Sequence, residues 1–161
     1  MVLPIKILGN PVLRERSKEV ELRDPTLKAL VKNMEETLRR AEGVGLAPTQ
    51  VGILKRVIIY DVGEGLKVLI NPMITRESEE KVEDEEGCLS IPGAKVPVRR
   101  AERIRVEGYD LEGKKIVLEA DGLLARVIQH EMDHLNGFLI IDRTTGSERR
   151  RVLEEMVGGP D

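Results

Sequence analysis

The chain has 161 residues, a mass of 18.0 kDa and a formal charge of −3, which predict one domain over residues 1–161 with an ordinary globular composition. We expect no nucleic-acid partner, because the chain is acidic overall and has an aromatic content of only 2%. We expect no membrane partner, because the chain lacks a long apolar run. The basic runs Arg99-Arg100 and Arg149-Arg150-Arg151 are interpreted as solvated faces. A single cysteine and a start without a signal sequence predict a cytoplasmic protein.

The first half of the chain contains one predicted helix and two predicted strands. Asp24 and Pro25 form a helix start, apolar residues then recur every three or four positions, and Gly43 is a stop signal. β-branched runs predict strands at residues 56–60 and 67–70.

The second half contains a predicted hairpin over residues 103–109 and 115–118, an apolar helix that begins after Asp121-Gly122 and ends near Gly137, and a short charged helix over residues 147–156. The strands precede the central helix and do not alternate with helices. We therefore predict an α+β fold, with antiparallel β-sheets packed around a central metal-binding α-helix, an N-terminal helix and a short C-terminal helix.

The central helix carries the sequence His130-Glu131-Met132-Asp133-His134. Residues four apart lie on one helix face, so the two imidazoles can share one metal ion, and Glu131 is rotated toward a water molecule on that ion. These are the only two histidines of the chain, and they lie on its most apolar helix. The pattern therefore predicts a metal site.

A catalytic site of this type needs a third protein ligand. In a metzincin this would be a third histidine, but the position is Ile140, which excludes that class. A thermolysin-like metalloprotease would use Glu154 or Glu155 as the third ligand. Cys88, which is flanked by Gly87, is the other candidate for the third ligand. A non-catalytic structural metal domain, closed by a carboxylate as fourth ligand, is a further alternative.

Three separated segments resemble the peptide deformylase family. Residues 43–50 read G-V-G-L-A-P-T-Q and are similar to the family's G-x-G-x-A-x-x-Q motif, residues 86–90 read E-G-C-L-S, and residues 129–137 read Q-H-E-M-D-H-L-N-G. The resemblance extends from residue 7 to the last helix. Pro48 departs from it, because the family usually has a second alanine there, and this leaves open the shape of the loop before Gln50.

The resemblance implies a metal-dependent hydrolase that removes the formyl group from formyl-methionyl nascent polypeptides and releases formate. It implies Cys88, His130 and His134 as ligands of one divalent ion, with water in the fourth position and Glu131 as general base and acid. Fe²⁺ is the ion expected in the cell, and Zn²⁺ or Ni²⁺ could also occupy the site.

The resemblance also implies how the substrate is held. The Gln50 side chain and the Leu89 backbone N–H would stabilise charge on the formyl oxygen. The residues expected to bind the methionine side chain or the peptide backbone are Val44, Gly45, Gly87, Leu123 and Val127.

A contact with the ribosome near its exit tunnel is a further hypothesis, for which the arginine run at residues 149–151 is the sequence feature. Beside the site, we predict an ion pair between Glu86 and Arg100, and for Asp133 either a solvated position or a role in orienting a ligand.

Overall fold

A computed structural model describes residues 1–157. Its α-helices are α1 (Leu27–Ala41), α2 (Gly122–Leu135) and α3 (Gly146–Val157), and short 3-10 helices cover Pro11–Arg14, Pro48–Val51 and Ile140–Asp142. Its strands are β1 (Gly45–Leu46), β2 (Val57–Tyr60), β3 (Lys67–Glu77), β4 (Lys81–Cys88), β5 (Ile91–Ala101), β6 (Arg103–Tyr109) and β7 (Lys115–Asp121). Within the described residues, no helix is long and apolar enough to cross a bilayer.

The strands form two antiparallel sheets. The larger one has the order β1-β2-β3-β6-β7, and β4 pairs with β5 in a separate two-stranded sheet. Helix α2 packs against both sheets, with Ile128 and Leu135 fully buried. The predicted α+β class is confirmed.

One apolar and one polar contact illustrate how helix α2 is held in place. Burial of Ile128 against the larger sheet contributes about 2–3 kcal/mol relative to exposure. The buried amide of Gln129 accepts a hydrogen bond from the Ala101 N–H (3.1 Å) and donates one to the Ala101 carbonyl (2.9 Å). These contacts fix the helix against the end of β5, and they leave the histidine-bearing face turned toward β4.

The main differences between the predicted and the observed elements concern α1, β3, β4 and β5. Helix α1 begins at Leu27, because Asp24 accepts hydrogen bonds from Thr26 in the turn before the helix, and it ends at Glu42, which takes the left-handed conformation (φ 56°). Strand β3 continues seven residues past the predicted end at residue 70. Strands β4 and β5 had not been predicted as a sheet.

Candidate metal centre

The two histidines and the cysteine meet at one point. Cys88 is the last residue of β4, and His130 and His134 lie one turn apart on α2. The Nε2 atoms of the two histidines are 3.2 Å apart, and Cys88 Sγ lies 3.4 Å from His134 Nε2. All three possible ligand atoms lie within 4.8 Å of one another.

This group fits a divalent metal ion in spacing and in chemistry. Nitrogen and sulfur ligands at about 2.0–2.3 Å from a tetrahedral ion stand roughly 3.3–3.6 Å apart, close to the separations observed here. One thiolate and two imidazoles suit Fe²⁺, Zn²⁺ and Ni²⁺ alike. The residues present can therefore hold one such ion, and the donor set alone does not select among the three.

Glu86 connects this centre to the protein behind it. Its Oε1 lies 2.9 Å from His130 Nδ1, and the same carboxylate accepts hydrogen bonds from Arg100 Nε (2.8 Å), Arg100 Nη2 (2.9 Å) and Arg126 Nη1 (2.6 Å). Burial alone would raise the pKa of Glu86, but the hydrogen bonds from Arg100 and His130 outweigh it and hold this pKa well below its usual value. A carboxylate that orients a ligating imidazole strengthens and fixes the ligand.

The predicted ion pair of Glu86 and Arg100 is therefore present, and Asp133 belongs to the same network. Arg100 Nη1 donates to Asp133 Oδ2 at 2.6 Å, and Arg143 donates to both oxygens of Asp133. The interpretation of the Arg99-Arg100 run as a solvated face was wrong for Arg100, which is only 6% exposed. Its guanidinium is buried because two carboxylates neutralise it there.

Glu131 lies next to His130 on α2, and its carboxylate is buried. The residue is 4% exposed, its Oε1 has no hydrogen-bond partner in the described part of the chain, and burial raises its pKa to about 7. A Cβ atom on Gly45 would stand 2.7 Å from Glu131 Oε2, which shows how closely the carboxylate packs on that backbone. An alanine at position 45 would therefore require the Glu131 carboxylate to move.

The two imidazoles differ in their electrostatic surroundings. Burial lowers the pKa of His134, and the neighbouring His130 lowers it further, so that this ring is neutral as a metal ligand must be. Burial also lowers the pKa of His130, but its contacts with Cys88 and Glu86 outweigh burial and raise it to about 10. In the metal-free chain His130 is therefore the more basic of the two rings.

Gln50 approaches the centre from the 3-10 helix Pro48–Val51. The residue is 1% exposed; its Oε1 accepts a hydrogen bond from the Ala47 N–H (3.1 Å), and its Nε2 donates to Ser90 Oγ (3.2 Å) and lies 3.9 Å from Cys88 Sγ. Pro48 occupies the first turn of this short helix, where a backbone N–H is not needed. Pro48 therefore fits this helix, and Gln50 reaches Cys88 and Ser90 with the proline in place.

A cleft of about 690 Å³ opens in front of the centre. Its walls include every residue predicted to hold the substrate, namely Val44, Gly45, Gly87, Leu123 and Val127. They also include Gln50, Cys88, Leu89, His130 and Glu131. His134 does not line the cleft, since it is 1% exposed and lies behind the other two ligand residues. Leu123 is 61% exposed and Val44 42%, so the cleft presents apolar side chains that the protein itself does not cover.

The alternative third ligands lie elsewhere. Glu154 and Glu155 are exposed on α3, and Glu155 pairs with Arg151 at 3.0 Å. Among the described residues, the possible metal-ligand group contains neither of them, and it contains no carboxylate that would close the site as a fourth ligand. The geometry thus favours neither the thermolysin-like protease nor the closed structural site.

Comparison with known proteins identifies the family. A family model described as polypeptide deformylase matches residues 2–150. The chain belongs to the polypeptide deformylase family. Its relatives include a peptide deformylase from Halothermothrix orenii, which is 50% identical over 159 residues, or 97% of this chain and 99% of that protein.

Solved deformylase structures agree with this assignment. The crystal structure of the Thermotoga maritima peptide deformylase has a TM-score of 0.88 and 45% identity, and the match covers 90% of this chain and 99% of that one. The Synechococcus elongatus peptide deformylase, solved in complex with actinonin, has a TM-score of 0.91 and 44% identity, with 95% of this chain and 85% of that one covered.

Two residues around the deformylase centre were not predicted from the sequence. Arg126 binds Glu86 and the carbonyls of Val98 and Val82, and its position four residues before His130 could have placed it on the same helix face. Ser90, which accepts the hydrogen bond from Gln50, gives no such signal, because only the folded chain brings the two together.

Proposed function

We propose that this chain is a peptide deformylase, which hydrolyses the formamide of N-formyl-methionyl nascent polypeptides to formate and a free amine. The observation that carries the proposal is the convergence of Cys88, His130 and His134 at an open cleft, beside the unpaired carboxylate oxygen of Glu131. Membership of the deformylase family supports the same reaction.

Cys88, His130 and His134 are the proposed ligands of one divalent ion, with Fe²⁺ as the ion in the cell and Zn²⁺ or Ni²⁺ as alternatives. When bound, such an ion supplies Lewis acidity, which lowers the pKa of water and polarises the formyl oxygen. Glu86 orients the His130 ring through the contact at Nδ1, which leaves Nε2 directed at the centre.

Glu131 is the proposed general base and acid. Its carboxylate takes a proton from the attacking water as the oxygen forms its bond to the formyl carbon, and it passes a proton to the amine nitrogen as the carbon–nitrogen bond breaks. Close packing against the Gly45 backbone limits the positions that the carboxylate can take. A fixed carboxylate with one oxygen free of protein partners suits both proton transfers.

Gln50 and Leu89 are the proposed donors to the formyl oxygen as negative charge develops on it. Gln50 Nε2 lies beside Cys88, and Leu89 follows Cys88 in the turn between β4 and β5, so that both donors flank the thiol. Each preorganised donor of this kind contributes about 3–4 kcal/mol to transition-state stabilisation in acyl chemistry.

The substrate backbone is proposed to add a strand between two sheet edges. Strand β1 is an edge strand of the larger sheet, and β4 pairs only with β5. Each of these two strands therefore has one edge that pairs with no other described strand. Gly45 on β1 and Gly87 on β4 both line the cleft. A peptide held there by main-chain hydrogen bonds would place its methionine side chain against Val44, Leu123 and Val127.

The place of action follows from the substrate. Nascent chains are made on ribosomes in the cytoplasm, so we propose that the enzyme acts there. The hypothesis of a ribosome contact through residues 149–151 gains little from the structure, because Arg149 pairs with Asp142 and Arg151 pairs with Glu148 and Glu155. The charges of these two arginines are largely neutralised within the chain.

The decisive experiment measures formate release from formyl-Met peptides after anaerobic purification, with metal analysis of the same sample. Wild-type protein is expected to release formate, and Glu131→Ala is expected to retain the metal and lose nearly all activity. Glu83→Ala, which changes an exposed carboxylate of β4, is the matched control and should behave as wild type. Cleavage of internal peptide bonds without formate release would instead support a metalloprotease.

A further inference from the structure

A second large cleft lies on a different face of α2. It has a volume of about 860 Å³ and shares no lining residue with the cleft at the metal centre. Its walls come from the loop before α1, from β3 and β5, and from the α2 positions 129, 132 and 133. The family motifs leave this cleft without an assigned role.

The cleft is strongly basic in a chain that is acidic overall. Three carboxylates face six cationic side chains: Arg16, Arg56, Lys81, Arg99, Arg100 and Arg143. Arg100 pairs with Glu86 and Asp133, Arg143 pairs with Asp133, and Lys81 lies 3.7 Å from Glu77. Arg16, Arg56 and Arg99 have no ion-pair partner among the described residues, and Glu19 is the one remaining carboxylate of the lining.

Arg56 is the most informative of these residues. It is 9% exposed, and its guanidinium donates only to neutral acceptors, namely the carbonyls of Ser17 (3.3 Å) and Leu135 (3.1 Å) and the Asn136 side chain (2.9 Å). Burial, and then the charge of Arg16, lower the pKa of Arg56 below its usual value, and the charge of Glu19 offsets only part of this effect. A buried guanidinium that makes no ion pair is costly, so an anion placed beside it would stabilise the site.

We propose that this cleft binds a small anion that carries two or three phosphate groups. Planar guanidinium groups match phosphate oxygens in bidentate geometry, and several uncompensated cations favour a ligand with more than one negative charge over a single carboxylate. The volume lies within the range of small-molecule sites. Buried Arg56 and exposed Arg16 and Arg99 supply the three charges that no ion pair compensates.

The test is calorimetric titration of the metal-loaded protein with inorganic tripolyphosphate at constant ionic strength. We expect one saturable site, roughly tenfold weaker binding in Arg16→Gln and in Arg99→Gln, and a change below about twofold in Arg40→Gln, an exposed arginine on α1. Formate release should be unchanged in these variants. Extraction of the metal by the probe cannot imitate this pattern, because it would affect all variants equally.

Several results would overturn the proposal. Wild-type protein could fail to show saturable binding, or all three variants could be weakened to the same extent, which would indicate general attraction to a basic surface. Binding of a short single-stranded RNA that depends on Arg16, without binding of tripolyphosphate, would assign the cleft to a macromolecule instead. Arg56 is left unchanged in these variants because its hydrogen bonds also hold the chain together.

Discussion

The buried carboxylate of Glu86 offers the sharpest test of how the metal centre is supported. It accepts four contacts, two from Arg100, one from Arg126 and one from His130, and its side chain is 5% exposed. Glu86→Gln keeps the shape and one acceptor oxygen. It replaces the other oxygen with an NH₂ group, which cannot accept the hydrogen bonds that Arg100, Arg126 or His130 donate to the carboxylate, and it removes the negative charge.

The cost can be worked from these contacts. Loss of one partner of a buried ion pair destabilises a protein by about 3–5 kcal/mol. Arg100 keeps Asp133 as a second partner at 2.6 Å, so the lower end, about 3 kcal/mol, is expected. For a protein of this size that corresponds to a decrease in Tm of roughly 6–12 °C. The freed His130 ring should also weaken metal affinity about 10–100-fold.

Urea unfolding of the metal-free protein measures the first effect, and competition with a chelator measures the second. Glu83→Gln, on an exposed position of the same strand, should change the free energy of unfolding by no more than about 0.5 kcal/mol. If Glu86→Gln behaves like this control in both measurements, the carboxylate does not support the centre and the reasoning is refuted.

Three further changes test other parts of the account. Gln50→Leu should lower kcat by about 10²–10³-fold with a much smaller effect on KM, because the amide acts on charge that develops during the reaction. Gly45→Ala should lower kcat by about 10²-fold at unchanged metal content, since the new Cβ would stand 2.7 Å from Glu131 Oε2 and displace it. Asp142→Asn should destabilise the fold by about 1–3 kcal/mol at neutral pH in urea unfolding, because this carboxylate accepts hydrogen bonds from the Leu139 N–H, Arg14 and Arg149.

Each of these changes has its own contradicting result. A pure KM effect in Gln50→Leu would remove the amide from charge stabilisation. Gly146→Ala, where a Cβ meets nothing within 4 Å, is the control for Gly45→Ala, and equal activities of the two variants would show that Glu131 tolerates the displacement.

The Asp142 prediction has a defined pH dependence. Burial would raise the pKa of Asp142, but hydrogen bonds from Leu139, Arg14 and Arg149 outweigh it and lower this pKa below the ordinary value of 3.8. Its stabilisation is therefore complete above that value and is lost as the pH falls through the lowered pKa. A difference between wild type and Asp142→Asn that grows on acidification would contradict this assignment.

Local periodicity was enough to predict helix α2 and the alignment of His130 with His134, because both follow from residues close in sequence. The third ligand was different. Cys88, Glu154 and Glu155 were all open as candidates from the residues alone, and the choice of Cys88 depended on the family resemblance. Only the packing of β4 against α2 brings the sulfur to the histidines, and no local pattern encodes that contact.

The sheet of β4 and β5 was missed for a related reason. Residues 83–86 are four consecutive acids, which is typical of a solvated loop. Three of them are exposed, but Glu86 turns inward, where Arg100 and Arg126 neutralise it. The ion pair of Glu86 with Arg100, 14 residues away, was predicted, but the charge pattern along the sequence does not show that both groups are buried.

The central claim is that three side chains from two elements hold one ion that serves hydrolysis. Its most direct test is titration of the metal-free protein with Co²⁺, in which absorption and formate release are recorded together. The account predicts a thiolate-to-metal charge-transfer band that saturates at one ion per chain, activity that follows the same curve, and loss of the band in Cys88→Ser. A band that persists in Cys88→Ser, or full activity before any metal is added, would contradict it.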